Sequence, residues 1–137
     1  MKYLSILFIS IAFISCNAQS PSQTAEVTTE NGETATVTYE VLATSDFVAK
    51  IASAPDAHLI DVRTPEEFSN GAIPNAQNIN YYDADFKAQM KALDNSKPIF
   101  LYCAKGGRSG KASQICKALG FQEIYDLKGG YTDYAAQ

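Results

Sequence analysis

The sequence has no tryptophan, a single histidine and only three cysteines. It has no apolar run long enough to cross a bilayer, which takes about 20 residues. Positive charge is scarce: 11 Lys and Arg stand against 15 Asp and Glu, a formal charge of −4. That balance argues against nucleic acid as a partner, because phosphate binding needs a basic face. The one histidine, His58, opens a strand-like run, so no Cys–His catalytic pair is expected. With so few histidines and cysteines, a protein-only metal site is not expected either, and no cofactor is implied. What the chain does have is 46% hydrophobic residues over 137 positions, enough for one globular domain and too short for two.

The N-terminus reads as an address. Lys2 is the only charge in residues 1–15, and Leu4 to Ile14 is an apolar run broken only by Ser5 and Ser10. Such a run fits a signal-peptide core. It ends in Phe13-Ile14-Ser15-Cys16, which resembles the lipobox of bacterial lipoproteins, with Phe13 where Leu, Val or Ile is usual. The resemblance implies cleavage before Cys16 and lipid on its sulfur. It also implies a domain held to a membrane by that anchor, in a bacterial envelope, on the periplasmic side. The alternative is an ordinary signal peptide that happens to contain a cysteine. Residues 16–36 are rich in Ser, Thr, Gln, Glu, Ala and Pro and poor in large apolar side chains. They are expected to form a flexible tether, with the folded domain over 37–137.

Within that domain, strand-like and helix-like patterns alternate, which indicates a parallel α/β sheet. Val37 to Leu42 alternates like an edge strand, and Ser45 is placed to cap a helix bearing Phe47, Val48 and Ile51. His58 to Val62 is a short apolar strand. Thr64-Pro65-Glu66-Glu67 combines an N-cap, a proline at the first helical position and a capping-box glutamate. Ala76 to Asn80 is a further strand, Asp83 to Leu93 a helix, and Pro98 to Tyr102 the most strand-like run in the chain. A helix over Ser109 to Leu119, stopped by Gly120, and a last strand over Phe121 to Leu127 complete the pattern. Gly129-Gly130 then turns into a final short helix.

Cys103 stands where the Pro98–Tyr102 strand stops. It opens Cys103-Ala104-Lys105-Gly106-Gly107-Arg108-Ser109, just before a helix. In open α/β sheets, ligands bind beyond the carboxyl ends of the strands. The glycine pair allows the positive φ of a curled loop, and such loops turn successive N–H groups inward as a nest for anions. Lys105, Arg108 and Lys111 form a positive cluster at a helix start, where cations are disfavoured unless an anion lies among them. A thiol so placed is expected to ionise below the free-cysteine value of about 8.5 and to act as a nucleophile. Cys116 lies about 10 Å along the helix from the loop, beyond the roughly 7 Å that a disulfide tolerates. It is expected to be a buried apolar residue.

Four stretches together resemble the rhodanese-like domain. They are Leu59 to Phe68, Gly71-Ala72-Ile73-Pro74-Asn75-Ala76, Tyr102 to Ser109, and Leu127-Lys128-Gly129-Gly130, in the family's order and spacing. The resemblance implies one α/β domain with a central parallel sheet of about five strands and helices on both faces. It also implies a sulfurtransferase: Cys103 takes a sulfur from a small anionic donor such as thiosulfate, becomes a persulfide, and passes the sulfur to cyanide or a thiol, including a protein thiol. Ala104, Lys105, Gly106, Gly107, Arg108 and Ser109 bind the donor and persulfide, while Asp61 and Arg63 brace the loops. Family members resembling phosphatases and arsenate reductases place five residues between cysteine and arginine. Here there are four, which suits sulfur better than a phosphoryl group. Alternatives are a non-catalytic binding module and a protein persulfide carrier. Ala72 and Asn75 depart from the family's usual histidine and glycine; Asn75 tolerates the left-handed backbone that glycine would adopt.

Overall fold

The order of strands, not their number, decides where the site falls. A computed structural model describes residues 22–28 and 34–137. Strands β1 (Ser22–Thr28), β2 (Thr34–Leu42), β3 (His58–Asp61), β4 (Gln77–Asn78), β5 (Ile99–Tyr102) and β6 (Glu123–Leu127) form one sheet in the order β1-β2-β6-β5-β3-β4. The five strands from β2 to β4 are parallel, and β1 is antiparallel to β2. Helices α1 (Thr44–Ala52), α2 (Pro65–Ser69), α3 (Phe86–Lys91), α4 (Gly107–Ala118) and α5 (Gly130–Ala135) lie between and after the strands. This is the parallel α/β sheet that the sequence patterns indicate, with the five parallel strands that the family resemblance implies.

The sheet buries both faces because successive strand residues point to opposite sides. Ile99 and Leu101 of β5 enter a core shared with Ile60, Met90, Ala112 and Cys116. Phe100 and Tyr102 enter the opposite core with Phe47, Tyr125 and Leu127. Helices α3 and α4 therefore cover one face, and α1 and α5 the other. All four residues of β5 are buried, as a central strand covered on both sides requires.

Three local expectations are corrected. The sheet begins at Ser22, so part of the expected tether is a strand, and β2 is an inner strand instead of an edge. An edge strand is held by backbone hydrogen bonds and β-branched residues, and needs little apolar burial. The Asn31-Gly32 dipeptide between two Thr-rich runs is the sequence signal for such a hairpin. Helix α1 begins at Thr44 with Ala43 as its N-cap and no side-chain cap, so Ser45 lies inside the helix. Helix α4 begins at Gly107, two residues before the expected Ser109. The signal segment 1–15 and Cys16 lie outside the described residues. No helix among the described residues is long and apolar enough to cross a membrane.

Candidate active site

The site is built from the turn between β5 and α4. Cys103 follows the last residue of β5, and the chain must reverse into α4 within a few residues. Gly106 makes this possible at φ 97, where a side chain would be strained; Gly107 does not need positive φ and is the first residue of the helix. The early helix start wraps the loop around the sulfur. Gly106 N–H donates to Cys103 Sγ at 3.0 Å, and Ser109 Oγ lies 3.6 Å from it. The N–H groups of Ser109 and Lys105 add to the same cradle.

Two effects compete at this sulfur. Cys103 is 2% exposed, and burial pushes its thiol up. The N–H groups of Ser109, Lys105 and Gly106, with the Ser109 hydroxyl, pull it down and win, so the net direction is below the usual thiol range. The donors are backbone dipoles at a helix N-terminus, where negative charge is favoured. These donors, more than the cationic side chains, are what lower it.

Arg108 is placed differently from the sequence expectation. Its guanidinium grips Glu67 in a two-pronged ion pair, 2.7 Å on each prong, and lies over the Tyr82 ring at 5.6 Å. Glu67 also caps α2 through Thr64. The Arg108 bonds hold its carboxyl down at about 2. The pair is therefore present above the ordinary carboxylate range and lost only as pH falls from there towards 2. Arg108 thus fixes α4 to α2 across the mouth, and the exposed cations of the mouth are Lys105 and Lys111. They border an open depression of about 360 Å³ that Cys103, Ala104, Gly107 and Arg108 complete.

The loop is held from below by the first turn of α5, just after the Leu127-Lys128-Gly129-Gly130 motif. Tyr131 N–H donates to the Cys103 carbonyl at 2.7 Å, and Thr132 N–H and Oγ1 donate to the Ala104 carbonyl at 3.1 and 2.8 Å. Helix α5 thereby docks its first turn onto the cysteine loop. That approach requires Gly130: a Cβ there would collide with the backbone of Cys103 and Ala104, and its φ is 62. Farther out, Arg63 pairs with Asp61, Nε to Oδ1 at 3.0 Å and Nη2 to Oδ2 at 2.6 Å, and also bonds the Gly71 carbonyl at 2.7 Å. Its guanidinium lies over the Tyr131 ring at 4.1 Å. Asp61 and Arg63 therefore connect β3, the Gly71 turn and α5, and make no contact with the sulfur. Asn75 takes φ 66 in that turn.

Cys116, on the inner face of α4, is fully buried and unpaired. Burial pushes its thiol up to about 12. His58 Nε2 bonds the Asp94 carbonyl oxygen at 3.0 Å, away from the site. No group of three His, Cys, Asp or Glu side chains among the described residues is placed to hold a metal ion.

Residues 44–137 match the rhodanese-like domain. A Bacillus subtilis protein known as YqhL, itself uncharacterized, is 41% identical over 81 residues, covering 59% of this chain. The match spans 63% of that relative's length, less than two thirds. The crystal structure of a rhodanese-related protein from Thermoplasma volcanium superposes with a TM-score of 0.61 at 28% identity, over 70% of this chain and 90% of the other. A human single-domain sulfurtransferase gives 0.58 at 26% identity, over 71% and 96%. With that family match over more than half of its length, the chain belongs to the rhodanese-like domain family.

Proposed function

We propose that this chain is a sulfurtransferase that moves a sulfane sulfur from a small anionic donor such as thiosulfate to a thiophilic acceptor through a persulfide on Cys103. The observation that carries this reading is a buried thiol whose sulfur receives the Gly106 N–H at 3.0 Å within a ring of loop N–H groups. The human single-domain sulfurtransferase among its structural relatives supports it. The Cys103 thiolate attacks the outer sulfur of thiosulfate, the S–S bond of the donor breaks, and sulfite leaves with the electron pair. The persulfide keeps one negative charge, which the same N–H groups stabilise. Cyanide or a thiolate then attacks the outer sulfur, and the Cys103 thiolate returns as leaving group. Lys105 and Lys111 meet the sulfonate end of the donor at the mouth, while Arg108 acts through its bond to Glu67 by keeping the loop closed.

The test is thiocyanate formation from thiosulfate and cyanide. It is expected for the wild-type chain and absent in Cys103→Ser. A wild-type chain that loads sulfur but passes it only to a protein thiol identifies a persulfide carrier instead. No turnover and no loading with any donor leaves the binding-module reading. We also infer lipid attachment at Cys16 and a domain facing outward from the membrane of a bacterial envelope. This rests on the apolar run and Phe13-Ile14-Ser15-Cys16. Metabolic labelling with a clickable fatty acid is expected in the wild type and lost in Cys16→Ala, and a wild type that stays unlabelled and unbound to membranes contradicts it.

A further inference from the structure

Asp126 plays no part in the exchange above, yet its side chain lies under the site. It is 3% exposed, and its Oδ1 has no hydrogen-bond partner. Alternation along β6 places it on the same sheet face as Ile124, the face of the core that holds Cys103 and the inner side of α4. The groups that stabilise its charge are the Ser109 hydroxyl from α4, the Leu127 N–H on its own strand and the Tyr39 hydroxyl from β2. Ser113, one turn along α4, faces Tyr39 and bonds the Ser109 carbonyl at 2.9 Å. β5 brings Leu101 into register beside it, with Cys103 two residues farther on. None of these neighbours is a cation. Burial prevails and pushes the carboxyl up to about 6. A carboxylate raised in this way weakens folding as pH rises towards neutrality, so a neutral residue would serve stability better.

Ser109 is the link to the sulfur. Its Oγ lies 3.6 Å from Cys103 Sγ and 3.2 Å from the Gly106 carbonyl oxygen, its hydroxyl is among the groups that stabilise the Asp126 charge, and the next residue of α4, Gly110, packs against Asp126 Oδ2 so closely that a Cβ there would lie 3.7 Å from it. A hydroxyl has one proton to give. Resting on the sulfur-transfer reading of Cys103, we propose that Asp126 is a positioning residue that decides where the Ser109 proton points. Protonated, Asp126 donates to Ser109 Oγ and turns the Ser109 hydroxyl onto the sulfur. Ionised, it draws that hydroxyl to itself and leaves the sulfur to the backbone N–H groups. Asp126 and Cys103 then titrate as a coupled pair, with Arg108, which senses the charge of the sulfur, and Lys105 and Lys111 as the cations on the Cys103 side. The sulfur is held most strongly as an anion at mildly acidic pH, where an ordinary thiol is inert.

The test is the rate of Cys103 alkylation by iodoacetamide against pH in the full chain. It is read on the Cys103 peptide by mass spectrometry so that Cys16 and Cys116 are scored apart. The wild type is expected to show two steps, with a break near the Asp126 midpoint of about 6. Asp126→Asn, which keeps the shape but cannot ionise, is expected to give a single step and, with its amide N–H on Ser109 Oγ, to alkylate about tenfold faster between pH 6 and 7, the worth of one hydrogen bond to a charged acceptor. Ser109→Ala is expected to give a single step that is about tenfold slower at pH 5.5. A break that persists in Ser109→Ala, or an Asp126→Asn profile that superimposes on wild type, overturns the proposal. Thiocyanate formation is measured separately: its absence sinks the sulfur-transfer reading and leaves the alkylation profiles to decide on Asp126.

Discussion

Cys103 and Cys116 share a core and nearly complete burial, at 2% and 0% exposure, and both are free thiols. Their chemistry diverges because of what surrounds each sulfur. Cys116 sits on the inner face of a regular helix, whose N–H groups are engaged within the helix, and burial alone pushes its thiol up to about 12. Cys103 sits before the first turn of the same helix, where N–H groups have no helical partner, and those of Lys105, Gly106 and Ser109 overcome its burial. Burial thus does not decide whether a cysteine reacts. The supply of unspent backbone donors does.

The largest expected difference between the two is reactivity. At pH 7 in the native state, Cys103 is expected to alkylate at least about a thousandfold faster than Cys116, since a thiol at 12 is ionised in only about one molecule in 10⁵. Comparable rates in peptide mapping would erase the contrast. Next comes Gly130→Ala, which drives a methyl into the Cys103 and Ala104 backbone. It is expected to cost roughly 2–4 kcal/mol in denaturant melts and to cut sulfur loading about a hundredfold, bringing Cys103 closer to Cys116. The double substitution Lys105→Gln with Lys111→Gln sharpens the comparison from the other side. It is expected to lower kcat/KM for thiosulfate about tenfold while leaving alkylation by neutral iodoacetamide within about twofold of wild type. A matching loss in both assays would assign the lysines to thiolate formation instead. The smallest effect is expected from Glu67→Gln, which frees Arg108 from its two-pronged pair. Stability should fall by about 1 kcal/mol, the pair being partly exposed, and turnover by a few-fold. No change in either would show that the clamp is incidental.

How much of this was written in the sequence depends on the range of the interaction concerned. Features fixed by neighbours within a few residues were legible. The capping box at Thr64 and Glu67, the helix stop at Gly120 with φ 88, and the curled cysteine loop follow from local backbone rules. Features fixed by distant partners were not. Glu67 reads as a cap, and nothing local says that it also holds Arg108, 41 positions away. The sequence points to the curled loop's N–H groups and to its cations together as sources of the thiol's acidity, but that the N–H groups of Lys105, Gly106 and Ser109 are the ones that reach the sulfur appears only once the helix is known to start at Gly107. The Gly129-Gly130 pair was visible as a motif, but the close approach of α5 to the Cys103 carbonyl that makes Gly130 necessary belongs to the packed structure. Strand β1 was missed because an edge strand made mostly of small and polar residues, with Val27 its one large apolar side chain, carries the composition of a linker. Asp126 reads as one polar position in a buried strand.

The central claim is that the loop N–H groups hold Cys103 as an anion ready to accept sulfur. The most direct test is the intact mass of the chain after incubation with thiosulfate under non-reducing conditions. The account predicts a gain of one sulfur atom in the wild type and in Cys116→Ala, removable by cyanide, and none in Cys103→Ser. An unchanged wild-type mass, or a gain that survives in Cys103→Ser, would contradict it.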